Sequence, residues 1–331
     1  MGCREMSCST LSHLSEVTEK CPGRENQQIL DTIFKALAPA CPERVIAGHH
    51  ADLASAGTYG YIDPETGRIF VGRYGGAGLA GGGWGAKKGE DGMHATVCIN
   101  DGDTHNSPVE AAEAKAPVLL VQCALRQDSG GAGRWRGGLG VIQEVRVLTS
   151  VMFDSRVERT LCPPWGLHGG KDALPNRVSV VRKDGALEQF STGKVNPLRL
   201  DQGDGYAVAT GGGGGFGDPL ERPAEQVLQD VTSGYVSVEA ARRDYGVVIK
   251  AQNRHYALDV EATEALRRAM AGKRALVAAT LVSGDIHRVS GHEAGFTPPM
   301  KMRLPTGDTF SQSSVLIFIA GCWKGSRKKC S

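Results

Sequence analysis

The apolar positions of this chain change period several times, and each change marks an element. In NQQILDTIFKALAPA, from Asn26, residues Ile29, Ile33, Phe34 and Leu37 recur at helical spacing and Pro39 ends the run. This predicts a helix carrying those four residues on one face. From residue 57 the pattern shortens. GTYGYIDPETGRIFVGRYGG places two apolar or aromatic runs about Asp63–Gly67, which reads as a hairpin. SPVEAAEAKAPVLLVQCAL (107–125) reads as a short helix stopped by Pro117 and followed by a strand. From 141 to 149, Val141, Gln143, Val145 and Val147 alternate with Ile142, Glu144 and Arg146, the period of a strand with one polar face. RVSVVRKDGALEQF reads as a further hairpin turning at Lys183–Gly185, and GYAVAT (205–210) as another strand.

The helical period returns after residue 222. One helix opens at Pro223 and stops at Gly234; the next has Ser237 as N-cap and Gly246 at its end. A third runs from Asp259 to Gly272, and residues 274–331 show no sustained period. The expected architecture is α+β: a strand-rich mixed fold with glycine-rich loops and a short helical C-terminal segment.

Composition sharpens this picture. The 45 glycines in 331 residues are about twice ordinary usage, and they cluster between apolar runs with no collagen period. Thirty-eight Lys and Arg against 36 Asp and Glu give no charge field suited to nucleic acid or to a membrane surface. Nine cysteines cannot all pair within one chain, and no C-x-x-C occurs, so reduced thiols and a cytoplasmic location are expected. No basic-then-apolar leader opens the sequence, and SVLIFIAGCW (314–323) is too short to span a bilayer.

The run GGGGGFGDPLERPAEQVL from Gly211 raises the question of a phosphate loop. Gly212, Gly214 and Gly217 satisfy G-x-G-x-x-G, but almost any spacing matches inside polyglycine. Asp218–Arg222 separates the loop from the next helix, and no Gly-Lys-Ser/Thr follows. The preferred reading is a loop whose missing Cβ atoms let backbone approach backbone.

Four long stretches, in order, resemble one family: GGGWGAKKGEDGMHATVCIN, then NSPVEAAEAKAPVLLVQCALRQDSGGAGRWRGGLGVIQEVRVL, then PPWGLHGGKDALPNRVSVV, and finally GGGGGFGDPLERPAEQVLQDVTSGYVSVEAARRDYGVVI. They are similar to the C-terminal half of the hydantoinase B / 5-oxoprolinase family, over residues 28–273. Residues 1–27 and 274–331 do not resemble it. These flanks read as sequence from outside the gene or from another frame, and the chain as a truncated or frameshifted member.

The resemblance implies one component of an ATP-dependent cyclic-amide hydrolase, opening a hydantoin or 5-oxoproline ring, within a hetero-oligomer. It places ATP and Mg on a hydantoinase A-type partner, and the family's metal site in an N-terminal half not matched here. No cofactor is then expected on this chain. Carboxylases of the same family, and a non-catalytic scaffold that docks the partner, are the alternatives. A cyclic amide is a stable electrophile, and phosphorylating its carbonyl oxygen supplies a good leaving group before water attacks, which is why the resemblance implies ATP.

Candidate site residues are few. Arg134 and Arg136, in GAGRWRGGLG, alternate so that both guanidiniums share a face with Trp135 opposite; such forks suit carboxylate or phosphate. The competing reading pairs both with local acids. Trp84, Asp91 and His94 complete the candidate substrate-binding set; glycine-flanked Trp84, Trp135 and Trp165 serve equally well as rings packed on bare backbone. His49, His50 and Asp52 are too close in sequence to chelate well. Asp91, His94, Asp101, Asp103 and His105 form a denser set without a recognised metal spacing, so no metal site is assigned. Ser129, Cys123, Cys162 and His168 make no nucleophile motif, and no catalytic residue is assigned.

Overall fold

The structure is a computed structural model that describes residues 25–41, 44–62, 66–67, 69–70, 81–97, 108–252 and 255–282. Residues 21–275 form one compact unit; the described elements belong to it, except Leu276–Val282, which fall in a second unit.

The chain opens with helix α1 (Glu25–Leu37) and the short strands β1 (Ser55–Tyr59), β2 (Tyr61–Ile62) and β3 (Ile69–Phe70). Helix α2 (Val109–Lys115) leads into β4 (Val118–Leu125), β5 (Val141–Val147), β6 (Val151–Val157), β7 (Arg177–Val181), β8 (Leu187–Gln189), β9 (Gly193–Leu200) and β10 (Gly205–Ala209). Then come α3 (Ala224–Thr232), α4 (Val238–Tyr245), β11 (Ile249–Gln252), β12 (His255–Leu258) and α5 (Val260–Val282). The fold is α+β and strand-rich, as the pattern predicts.

Two antiparallel sheets make a sandwich. One has the order β4-β5-β10-β7-β8, the other β1-β6-β9. Alternation explains the packing: Val141, Val145 and Val147 of β5 and Val178 and Val180 of β7 bury against Val151, Phe153 and Val157 of β6. Phe153 and Tyr206 meet with ring centroids 4.7 Å apart. The β7–β8 turn falls at Lys183–Gly185, where Arg182 N–H donates to Ala186 O and Gly185 adopts φ 85°. β2 pairs with β3 as the expected hairpin; Asp63–Glu65 of its turn lie outside the described residues.

A second region contains almost no regular secondary structure. Residues 211–217 thread between the extended segments 47–50, 83–86, 129–140 and 165–174 and bond to all of them through main chain. Gly83 N–H donates to Gly211 O, Ala86 N–H to Gly214 O, Gly131 N–H to Gly213 O and Leu167 N–H to Gly215 O. A strand in a sheet has neighbours on two sides because side chains occupy its faces. Glycine leaves the faces empty, so neighbours close in from every direction. At Gly213 a Cβ would lie inside the Trp84 carbonyl, and at Gly137 inside that of Gly213. The close backbone approach expected of the polyglycine is thus made with other segments of this chain.

The C-terminal helices pack a separate core of Val227, Val231, Val236, Ala241, Tyr245 and Val247. Ser237 caps α4 by accepting from Ala240 N–H at 3.0 Å, and Gly246 closes it at φ 62°. Helix α5 differs from expectation by running through Gly272 to Val282. The Ala- and Leu-rich segment RALVAATLV has strong helix propensity, which outweighs the roughly 1 kcal/mol cost of one internal glycine. Helix α1 also differs in how it is seated. Ile29 and Ile33 of its apolar face are 42% and 45% exposed, and the residue fully buried is Asp31.

Candidate functional site

Two polar clusters hold most of the charge buried in the described residues. The first lies where the glycine bundle meets helix α3. The bundle supplies Asp91 and Arg136; Arg222, just before α3, and Asp230, within it, complete the set. Arg222 Nη1 and Nη2 donate to Asp91 Oδ1 and Oδ2 at 2.8 and 2.7 Å, and its Nε donates to Asp230 Oδ2 at 3.0 Å. Arg136 Nε lies 3.3 Å from Asp230 Oδ1, its Nη2 lies 3.8 Å from Asp91 Oδ2, and its Nη1 donates to Gly137 O. Two cations thus offset two anions, with bidentate geometry at Asp91.

Burial works to raise the Asp91 carboxyl, but the Arg222 hydrogen bond and charge, with help from Arg136, hold it below its ordinary range. Burial opposes the Arg222 charge, and the Asp91 hydrogen bond with the two carboxylate charges more than restores it. His94 stands beside this cluster. Its Nδ1 accepts from Leu139 N–H at 2.9 Å and its ring lies 4.6 Å from that of Tyr235. Burial first, then the Arg136 charge, lower its pKa to about 4 against the pull of Asp91, so the ring is neutral at pH 7. A cleft of about 510 Å³ opens here, lined by Asp91, Trp135, Arg136, Arg222, Gln229 and Tyr235 among others.

The second cluster is sealed. Asp31, His49, His50 and Asp52 have no exposed surface. Asp31 receives Arg159 Nη2, takes Trp165 Nε1–H at 3.1 Å and faces His49 Nδ1 at 3.0 Å. Asp52 Oδ2 accepts from Glu158 N–H at 2.8 Å and Asn176 Nδ2 at 3.3 Å. Burial, then the His49 charge, push the His50 pKa down to about 3 against an opposing pull from the Thr96 backbone, with Arg159 adding a smaller push in the same direction as His49. Ala51, Ala54, Ala95 and Arg159, all near this cluster, adopt φ of 45–50°, so its backbone is held in a conformation that side chains disfavour.

The candidates read from sequence separate between these clusters. Asp91 and Arg136 line the cleft, and His94 stands beside them, behind the cleft-lining Tyr235 ring. Arg134 sits at the rim, 49% exposed, pairing with Glu221 at 3.2 Å. It does not share a face with Arg136, and Trp135 is not opposite: the Arg134 guanidinium lies 5.0 Å over the Trp135 ring, while Trp135 pairs backbone with Phe216. Trp84 belongs nearer the sealed cluster, 5.9 Å from the His49 ring, and donates Nε1–H to Val97 O. Ser129 is buried and donates to Arg126 O, while Cys123 and Cys162 are exposed. His168 packs on Phe216, 4.9 Å between centroids. Asp101, Asp103 and His105 lie outside the described residues. Sequence reasoning missed Asp31, Arg159, Arg222 and Asp230; Arg159 and Asp31 are 128 residues apart, Arg222 and Asp91 131, and only Arg222 and Asp230 are near in sequence.

The polyglycine run offers no free donor to a phosphate. Each amide from Gly211 to Gly217 already donates within the protein: to Asn176 Oδ1, then to the carbonyls of Leu174, Gly138, Gly48, Lys171, Trp135 and Leu167. None is left to cradle an anion. Among the described residues no three His, Cys, Asp or Glu side chains are arranged to hold a metal.

The hydantoinase B/oxoprolinase family profile matches residues 21–219. This chain belongs to that family. It is 35% identical over 244 residues to a protein of Methanocaldococcus jannaschii, covering 73% of this chain and 40% of that one. It is 34% identical over 259 residues to the caprolactamase subunit beta of Pseudomonas jessenii, covering 75% and 42%. The solved ATP-dependent caprolactamase of that organism superposes with a TM-score of 0.60 at 30% identity, over 70% of this chain and 40% of that one. An acetone carboxylase in its nucleotide-free state shares the fold, with a TM-score of 0.61 at 22% identity, over 71% and 35%. The chain therefore spans about two fifths of the length of these family members. No helix of the described residues is long and apolar enough to cross a membrane.

Proposed function

We propose that this chain supplies the hydantoinase B-type component of an ATP-dependent cyclic-amide hydrolase and works with a hydantoinase A-type partner that carries ATP and its Mg ion. The observation that carries this reading is the 34% identity to a caprolactamase beta subunit across three quarters of the chain. The filled amides of the polyglycine run support nucleotide on the partner, because the one glycine loop that resembles a phosphate cradle has no donor to spare. The cleft beside Asp91, His94 and Arg136 is the proposed substrate wall, with Arg134 at its rim and Trp84 behind it. A neutral His94 and a charge-balanced quartet suit an uncharged lactam better than a free anion.

The test is turnover. The full chain is mixed with a hydantoinase A-type subunit, and ADP release is followed with hydantoin, 5-oxoproline and caprolactam. Ring opening that needs both proteins and ATP is expected. Arg134→Ala, on an exposed side chain with little role in folding, should then weaken KM or kcat several-fold; unchanged kinetics would remove Arg134 from the site. A complex that forms without turnover favours the second reading, a non-catalytic scaffold. One observation already points that way: Arg222 hydrogen-bonds both Asp91 and Asp230, so the two carboxylates are engaged within the protein.

A further inference from the structure

The five-stranded sheet is two strands wider than the sheet it packs on, and its margin at β4 is bare. Val118, at the start of β4, is buried in the sandwich core. Farther along, Cys123 lies opposite Gln143 and Leu125 opposite Val141. Residues directly opposite in an antiparallel pair project to the same face. Gln143 and Val141 are buried on the core side, so Cys123 and Leu125 point to the core side too. Yet Cys123 is exposed and Leu125 is 39% exposed. Val121, at a bulge in the pairing, is 43% exposed. Among the described residues β4 pairs only with β5, so no strand pairs with its outer backbone, and Glu113 takes the Leu120 N–H at 2.9 Å. From Val121 to Leu125 an apolar edge strand is left with a free side, the situation in which chains add a strand.

We infer that Val121–Leu125 is the seat of an apolar β-strand from the portion of a hydantoinase B-type subunit outside the matched region. Two facts select this occupant. β4 falls inside residues 21–219, the part shared with the family. The relatives are covered to only 40% and 42% of their length, so each holds more chain outside the match than within it. A second copy of this chain would leave that shared edge unexplained in them. The inference rests on family membership and not on the proposed turnover.

Cys123 is a built-in reporter and Cys162, also exposed, its control. The full 331-residue chain is co-expressed with the part of the Pseudomonas jessenii caprolactamase beta subunit outside the match. Both are then treated with N-ethylmaleimide, and labelling at each cysteine is followed by mass spectrometry. Capture of the added segment is expected, with Cys123 labelling slowed about tenfold or more, as for a thiol reached only when its cover opens, and Cys162 unchanged. Leu125→Asp, which alters an exposed position, should restore Cys123 labelling and weaken capture. Failure of capture, a Cys123 that stays as reactive as in the chain alone, or capture and protection that survive Leu125→Asp would each overturn the inference. So would Cys123 protection in the chain alone that disappears on dilution, which would give the edge to a second copy. None of these readouts depends on ATP or ring opening, so loss of the catalytic proposal would leave them standing.

Discussion

The valine-lined sandwich and the glycine bundle belong to one compact unit, yet different atoms hold them together. In the sandwich, backbones stay a sheet spacing apart and side chains fill the gap: Val145, Val147, Phe153, Val180 and Tyr206 are essentially without exposed surface. In the bundle, backbone fills the gap itself. Gly213 touches the Trp84 carbonyl on one side and donates to Gly138 O on another, while accepting from Gly131 N–H. Side chains can shift rotamer to absorb a change, whereas backbone fixed by hydrogen bonds in several directions cannot. The bundle therefore tolerates less substitution than the sandwich, although its residues are the smallest.

Gly213→Ala tests this most severely. The added methyl would meet the Trp84 carbonyl, which is held by its own bond from Gly138 N–H. Overpacking against fixed backbone should cost at least about 3 kcal/mol, enough to lose cooperative unfolding in a urea titration. Val180→Ala removes two methyl groups from the sandwich core and leaves a small cavity, for about 2 kcal/mol. If Val180→Ala proves more damaging than Gly213→Ala, the bundle is softer than its hydrogen bonds indicate and the contrast fails.

The sandwich and the C-terminal helices were the legible parts. The alternation of Val141 to Val147, the Lys183–Gly185 turn and the Ser237 cap are local, and each is where its period or turn residue put it. Helix α1 shows where a period misleads: it marks Ile29 and Ile33 as alike but not as the docked face, and a single carboxylate, Asp31, seats the helix on Arg159 and Trp165. The cleft was half legible. Asp91 and His94 lie in one glycine-rich segment and Arg136 in another 45 residues on, but Arg222 reaches Asp91 across 131 residues, and no local pattern encodes such a pair. The bundle was legible as close packing and not as a structure, because glycines carry no period to say which segments meet.

The ion quartet joins the bundle to α3, and removing one member measures that join. Arg222→Ala strands Asp91 and Asp230 with only Arg136 between them, at 3.8 and 3.3 Å. Breaking a buried pair in this way costs about 3–5 kcal/mol; some of that should be recovered in the double variant Arg222→Met with Asp230→Leu. Recovery would show a structural clamp. A double variant that regains stability but still lacks activity in the assembled enzyme would mark the quartet as part of the site.

A titration in pH separates the cleft from the sealed cluster. His94 titrates at about 4 when folded, against 6.5 as an ordinary histidine. Between these values the unfolded chain binds the extra proton and the folded chain does not. Stability should therefore be complete above about pH 6.5 and decline as pH falls toward 4. His50, lowered further to about 3, adds a decline in the same direction that extends to lower pH. His94→Asn keeps an acceptor for Leu139 N–H and cannot charge. Its urea midpoint should fall less than the parent's between pH 6.5 and 4, while the residual fall, owed in part to His50, persists. Identical pH profiles for the two proteins would mean that His94 is already solvated in the folded chain, and that the cleft is wetter than its packing against Tyr235 implies.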